Sequence, residues 1–248
     1  MWACLGTAAW LAVAAAGPRR LRATAPAGLA WWGACVLMLD WHLGMVETPD
    51  GRPRRLGPAD ALTLARAWLV PIVWHRPDAL SCIVAGVSDA IDGPLARRRA
   101  PTRAGRDFDS IVDACFATAA LRGATRHRLL ERWAVRTQAA WLVVGVAHAA
   151  HAYFLEIDQP DPSLTRAARV FAPLRTAGLI LGAAGRRRGG SALLGGHALA
   201  SVALTGYQHA RGAGRGLRTP ATPVGPRRLC RRGSVADADM PAVEAVAV

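Results

Sequence analysis

The chain is 248 residues long, and 52% of those residues are hydrophobic. That length suits one or two soluble domains, but apolar runs of about 20 residues and a positive mean hydropathy favour a membrane protein. A net charge of +14 rests on arginines placed between the apolar runs, not on one surface. This argues against nucleic-acid binding and for loops beside anionic lipid.

In chain order, eight apolar segments stand out, at about 2–17, 28–46, 60–75, 79–97, 106–122, 135–154, 167–184 and 191–208. The first, "WACLGTAAWLAVAAAG", has no basic residues ahead of it and reads as a short or tilted membrane helix rather than a cleaved signal. Residues 1–57 thus form an N-terminal pair of hydrophobic helices with basic loops. Residues 58–210 form the main membrane domain, and 211–248, rich in Gly, Pro and charge, form a disordered tail. The expected fold is all-α and polytopic, a six-helix core plus two N-terminal helices. The basic stretches Arg52–Arg55 and Arg97–Arg106 lie two spans apart and so share a side, which the positive-inside rule puts in the cytoplasm. The equally basic stretch from Arg122 to Arg136 then faces the other way, and so does "PRRLR" near residue 20.

The five cysteines (Cys4, Cys35, Cys82, Cys115, Cys230) form no Cys-x-x-Cys and read as packing residues. His148 and His151 share a helix face without a third ligand, which points to helix-to-helix hydrogen bonding. The nine tryptophans fall partly near segment ends, as in an aromatic belt.

Chemistry concentrates in "SDAIDGPLARRRAPTRAGRDFDSIVDA", Ser88 to Ala114. Asp89 and Asp92 are three apart, and Asp109 and Asp113 four apart, so each pair lies on one helix face. Carboxylates bordering hydrocarbon need compensation from a metal, an arginine or a proton-transfer task. Asp107 falls on another face and reads as a solvent or headgroup contact.

Written as Asp89-x2-Asp92-Gly93-x2-Ala96-Arg97-x7-Gly105-x3-Asp109-x3-Asp113, the stretch resembles the signature of the CDP-alcohol phosphatidyltransferase family (class I). Upstream, "ADALTLARAWLVP" is similar to the family's first core helix, with Asp60 where Asn is usual, then Thr63 and Arg66. The resemblance implies an integral-membrane transferase that moves a substituted phosphate from a CDP-linked donor, CDP-diacylglycerol first, to a small alcohol and releases CMP. It implies two Mg²⁺ or Mn²⁺ ions on Asp89, Asp92, Asp109 and Asp113, with Asp113 also accepting the alcohol's proton. It places Asp60, Thr63, Gly93, Arg97 and Thr102 on the CDP donor, and the active site towards the cytoplasm. Homodimerisation stays open.

Oxygen-rich carboxylate sites suit such ions, and phosphoryl transfer needs charge neutralisation together with a base. With too few arginines nearby to neutralise the four aspartates, metal is the expected compensation. Arg136, Arg169 and Arg175 are the candidate contacts to an anionic acceptor, and the "LTLARAWLVP" helix suggests glycerol 3-phosphate. Ala114, where glycerophosphate-using members often carry lysine, counts mildly against that choice, and serine, inositol phosphate or another small alcohol stay open as acceptors. The alternatives are a transporter or channel using intramembrane aspartates, and a family member with a soluble CDP-alcohol donor.

Overall fold

A computed structural model describes residues 2–43, 57–97, 103–154 and 162–216. The described residues fold into α1 (Trp2–Ala16), α2 (Arg19–Arg22), α3 (Ala25–Leu43), α4 (Pro58–His75), α5 (Ala79–Arg97), α6 (Arg103–Arg126), α7 (Arg132–Phe154), α8 (Pro162–Ala183) and α9 (Arg187–Gly216). There is no strand among them, so the all-α expectation holds. Met1–Ala210 forms one compact unit, and a second begins at Arg211. Helix α9 carries helical backbone to Gly216, six residues into the segment expected to be a tail. Residues 217–248 and the Arg52–Arg55 stretch lie outside the described residues.

Local chemistry sets the helix ends. Pro58 opens α4 with a pre-set φ, and the Asp60 carboxylate accepts the Gly57 N–H at 2.6 Å. Asp78 caps α5, its two oxygens accepting the Ser81 N–H at 2.9 Å and the Ser81 O–H at 2.6 Å. Helix α8 stops at Gly185, whose φ of +84° suits glycine, and the Arg186 N–H closes back on the Leu181 carbonyl at 2.8 Å. At the end of α6 the same closure runs from the Leu129 N–H to the Ala124 carbonyl, with Arg128 in the left-handed position.

Helix α4 is central, packing against both α5 and α6, while α5 also packs on α8. One core forms where Val70, Val73, Cys82, Phe116 and Leu179 meet. A second seats α1 and α3 on α4 and α6 through Trp10, Trp32, Leu64 and Phe108. The Trp10 and Trp68 rings lie 4.6 Å apart, and the Trp31 Nε1–H donates to the Ala67 carbonyl at 2.8 Å. These tryptophans sit between helices, not in a belt at segment ends: a large ring with one donor can fill an interhelical gap and bond a neighbour's carbonyl.

Glycines permit two close approaches. A side chain on Gly86 of α5 would meet the Thr176 methyl of α8 at 2.3 Å, and one on Gly190 of α9 would meet the Gly182 backbone nitrogen of α8 at 2.6 Å.

The expectation of eight bilayer-crossing segments is not met helix by helix. Among the described residues, no helix is long and apolar enough to cross a membrane. The reason is composition: α6 carries Asp107, Asp109, Asp113 and several arginines, and α8 and α9 are diluted by Gly, Thr and Arg.

Candidate active site

Thr63 and Arg66 are three residues apart on α4, so both face the groove where α5 and α6 pack against it. Asp89 and Asp92 enter from α5, and Asp109 and Asp113 from α6. All four carboxylates converge on one guanidinium. Nη1 of Arg66 donates to Asp89 Oδ1 at 2.9 Å and also to Asp113 Oδ1. Nη2 donates to Asp92 Oδ2 and Asp109 Oδ1. The Thr63 hydroxyl donates to Asp109 Oδ1 at 3.2 Å, fixing that oxygen from a second direction.

Arg66 is 1% exposed, and its buried Nε–H has no hydrogen-bond partner among the described residues. Asp92 is buried, while Asp89, Asp109 and Asp113 are half-buried. Arg66, Asp89 and Asp113 line a cleft together with Gly86 of α5 and Arg175 and Thr176 of α8. Gly86 lets α8 approach closely enough to bring Arg175 to that cleft.

Arg66 adds to the expectation that too few arginines stand near the aspartates to neutralise them: one guanidinium engages all four. Among the described residues, no group of three or more His, Cys, Asp or Glu side chains stands arranged to hold a metal ion. The guanidinium takes the centre of the carboxylate group. A charged residue inside the apolar run "LTLARAWLVP", three positions after Thr63, was the signal: an arginine at that depth faces a partner.

A family model described as CDP-alcohol phosphatidyltransferase matches residues 58–184, just over half of the chain. The chain belongs to this family. In this family member the matched segment runs from the start of α4 to the end of α8, so it contains every residue named in the cleft. No curated protein and no solved structure gives a match.

The other candidates are placed unequally. Asp60 spends one oxygen on capping α4, beside Thr63 in sequence but away from the carboxylate group in role. Gly93 lies within α5, which continues past Pro94 to end at Arg97. Thr102 lies outside the described residues. Arg136 is exposed on α7, Arg169 belongs to α8, and Arg175 lines the cleft.

The family generally uses divalent metal ions, and the donor set here fits them. Four hard oxygen ligands come from two helices, and among the described residues the cleft sets Arg66 and Arg175 against their four negative charges. Asp89, Asp92, Asp109 and Asp113 would hold the ions, which when bound neutralise charge on the phosphate oxygens. Arg66 would then cede some of its contacts, since each oxygen it engages is a ligand position.

Proposed function

We propose that this family member is an integral-membrane transferase that moves a phosphatidyl group from CDP-diacylglycerol to a small alcohol carrying its own phosphate, releasing CMP. The alcohol oxygen attacks the lipid-bearing phosphorus of the pyrophosphate, the bond from that phosphorus to the CMP oxygen breaks, and Asp113 takes the hydroxyl proton. Two Mg²⁺ or Mn²⁺ ions on the four aspartates are part of this reading. Thr63, with Gly93, Arg97, Thr102 and Asp60, serves the donor side. The observation that carries the reading is one cleft holding Asp89, Asp113, Arg66 and Arg175. A carboxylate able to accept a proton and a half-buried cation beside it suit a hydroxyl and a phosphate on the same small molecule. Glycerol 3-phosphate is the first acceptor to try.

The distribution of side chains supports membrane embedding. Leu80, Ile83, Val87 and Ile91 form an exposed stripe along α5, and Val143, Val146, Leu199 and Val202 are exposed on α7 and α9. Meanwhile Arg66, Asp92, Gln138 and His197 are buried. Apolar outside and polar inside is the pattern of a bundle whose solvent is hydrocarbon. The aspartates gather at one level, which favours a reaction centre over an ion path.

The test is CMP release by the purified protein from CDP-diacylglycerol with a panel of phosphorylated and unphosphorylated alcohols. Release should require a phosphorylated alcohol and Mg²⁺ or Mn²⁺. Arg175→Gln should raise KM for that alcohol far more than for the donor, and equal effects on both would remove Arg175 from the acceptor. CMP release supported only by unphosphorylated alcohols would overturn the acceptor class.

A further inference from the structure

The antiparallel packing gathers a second set of charges at the end of the bundle remote from the aspartates. Arg76 follows α4, Arg122 and Arg126 end α6, Arg128 and Arg132 flank the turn into α7, and Arg186–Arg188 lead into α9; all are exposed. Hydrogen bonds tie these termini together. His127 Nε2 meets the His75 carbonyl at 2.9 Å, the Glu131 N–H donates to Ser191 Oγ at 2.7 Å, and Arg187 pairs with Glu131 at 3.0 Å. Among the described residues two acids stand at this end, and both are engaged. Glu131 is held by Arg187, and Asp78 caps α5.

Arg122 shows how such a guanidinium is held. Its Nη1 donates to the Trp74 carbonyl at 3.2 Å, and the group lies 4.1 Å above the half-exposed Trp74 ring. A second half-exposed indole, Trp133, stands beside Arg132. Below this ring of arginines and indoles the flank turns apolar, with Leu80 70% exposed. Seventeen residues separate Asp109 from Arg126 in α6, about 25 Å along the axis, close to the thickness of a bilayer's hydrocarbon core.

We propose that this end binds the headgroups of anionic phospholipids in the leaflet remote from the aspartates, as a site separate from the reaction cleft. The proposal rests on the membrane-embedded reading above. Arginine suits the partner, because its fork of N–H donors matches a phosphodiester. Indoles at the border of the apolar flank fix the depth at which those donors meet phosphate, which a nucleic acid would not require. A rigid, net-positive rim at headgroup depth fits a lipid surface.

The experiment uses the full-length protein in neutral detergent and follows lipid binding by native mass spectrometry and thermal unfolding. Dioleoylphosphatidylglycerol, dioleoylphosphatidylcholine and inorganic phosphate are titrated separately against wild type and Arg126→Gln/Arg186→Gln/Arg188→Gln. Wild type should bind and be stabilised by phosphatidylglycerol, with no comparable response to phosphatidylcholine or inorganic phosphate. The triple variant should bind phosphatidylglycerol roughly 100-fold more weakly, each arginine at the surface accounting for about a fivefold loss. Its CMP release in detergent, measured with water-dispersed donor, should match wild type, which shows that the variant folds. Equal phosphatidylglycerol affinity in the two proteins overturns the proposal, and so does an equal response to phosphatidylcholine or to free phosphate. A chain that stays monodisperse without detergent overturns the membrane reading as well, so the two failures are distinct.

Discussion

Arg66 connects all four aspartates of the site, and its position explains how a half-buried group of carboxylates coexists in one small volume. Without it, Asp89, Asp92, Asp109 and Asp113 would repel one another at close range. Arg66→Met, similar in length but uncharged, should therefore destabilise the metal-free protein by about 3 kcal/mol, the low end for breaking a buried ion pair because three of the carboxylates keep solvent access. Mn²⁺ should recover more of that stability in Arg66→Met than it adds to wild type. Thermal unfolding of both proteins in EDTA and in Mn²⁺ measures this, and identical Mn²⁺ increments would mean that Arg66 and the ion do not share ligands. Asp113 carries a different demand. Asp113→Asn keeps its size but cannot take the hydroxyl proton, so turnover should fall by roughly 10²-fold or more. Donor affinity should survive better than in Asp89→Asn. Near-normal turnover in Asp113→Asn would refute the assigned base. At this scale the aspartates were legible because i, i+3 and i, i+4 spacing fixes a shared face. Their counter-ion was not, since pairing a residue on α4 with residues on α5 and α6 depends on how helices pack, which spacing along one helix does not encode.

Each helix is positioned by a few contacts that leave little slack. The α8–α9 approach depends on Gly178, Gly182 and Gly190, and a Cβ at Gly190 would fall against backbone atoms of Gly182 and Gly178 that cannot rotate away. Gly190→Ala should cost about 1–3 kcal/mol through overpacking, read as a lowered Tm. Gly189→Ala, with only a Leu181 methyl at 3.7 Å, should be close to neutral or stabilising. A Gly190→Ala protein as stable as Gly189→Ala would show that the helices can separate without penalty. The helices themselves were largely readable: the segments expected at about 79–97 and 135–154 correspond to α5 (Ala79–Arg97) and α7 (Arg132–Phe154). The boundaries moved where polar residues continue a helix beyond its apolar run. Helix α6 starts at Arg103 and ends at Arg126, because Arg and Ala keep helical backbone favourable after hydrophobicity has ended. The role of Trp10, Trp31 and Trp68 was hidden for a related reason, as hydropathy does not say whether a ring faces lipid or the helix beside it.

In the whole molecule, helices that are singly not apolar enough to span, among the described residues, together present an apolar outer surface. Two of the charges that lower the hydropathy of α4 and α5, Arg66 and Asp92, are buried, so averaging over a helix undercounts the hydrophobicity its neighbours or lipid would meet. A bundle of this kind should partition as a unit. The protein should stay in the membrane fraction through a wash at high salt, which screens the attraction between its arginines and anionic headgroups, and should leave only with detergent. Release by salt alone would mark a peripheral protein held by its +14 charge. The segment after Gly216 carries five of the 31 basic residues and follows the last described helix, and the matched family segment ends well before it. Truncation after Gly216 should therefore leave both membrane retention and CMP release intact. Loss of CMP release with retention unchanged would give the tail a part in the reaction, and loss of retention would show that charge, not the apolar flanks, holds the chain to the bilayer.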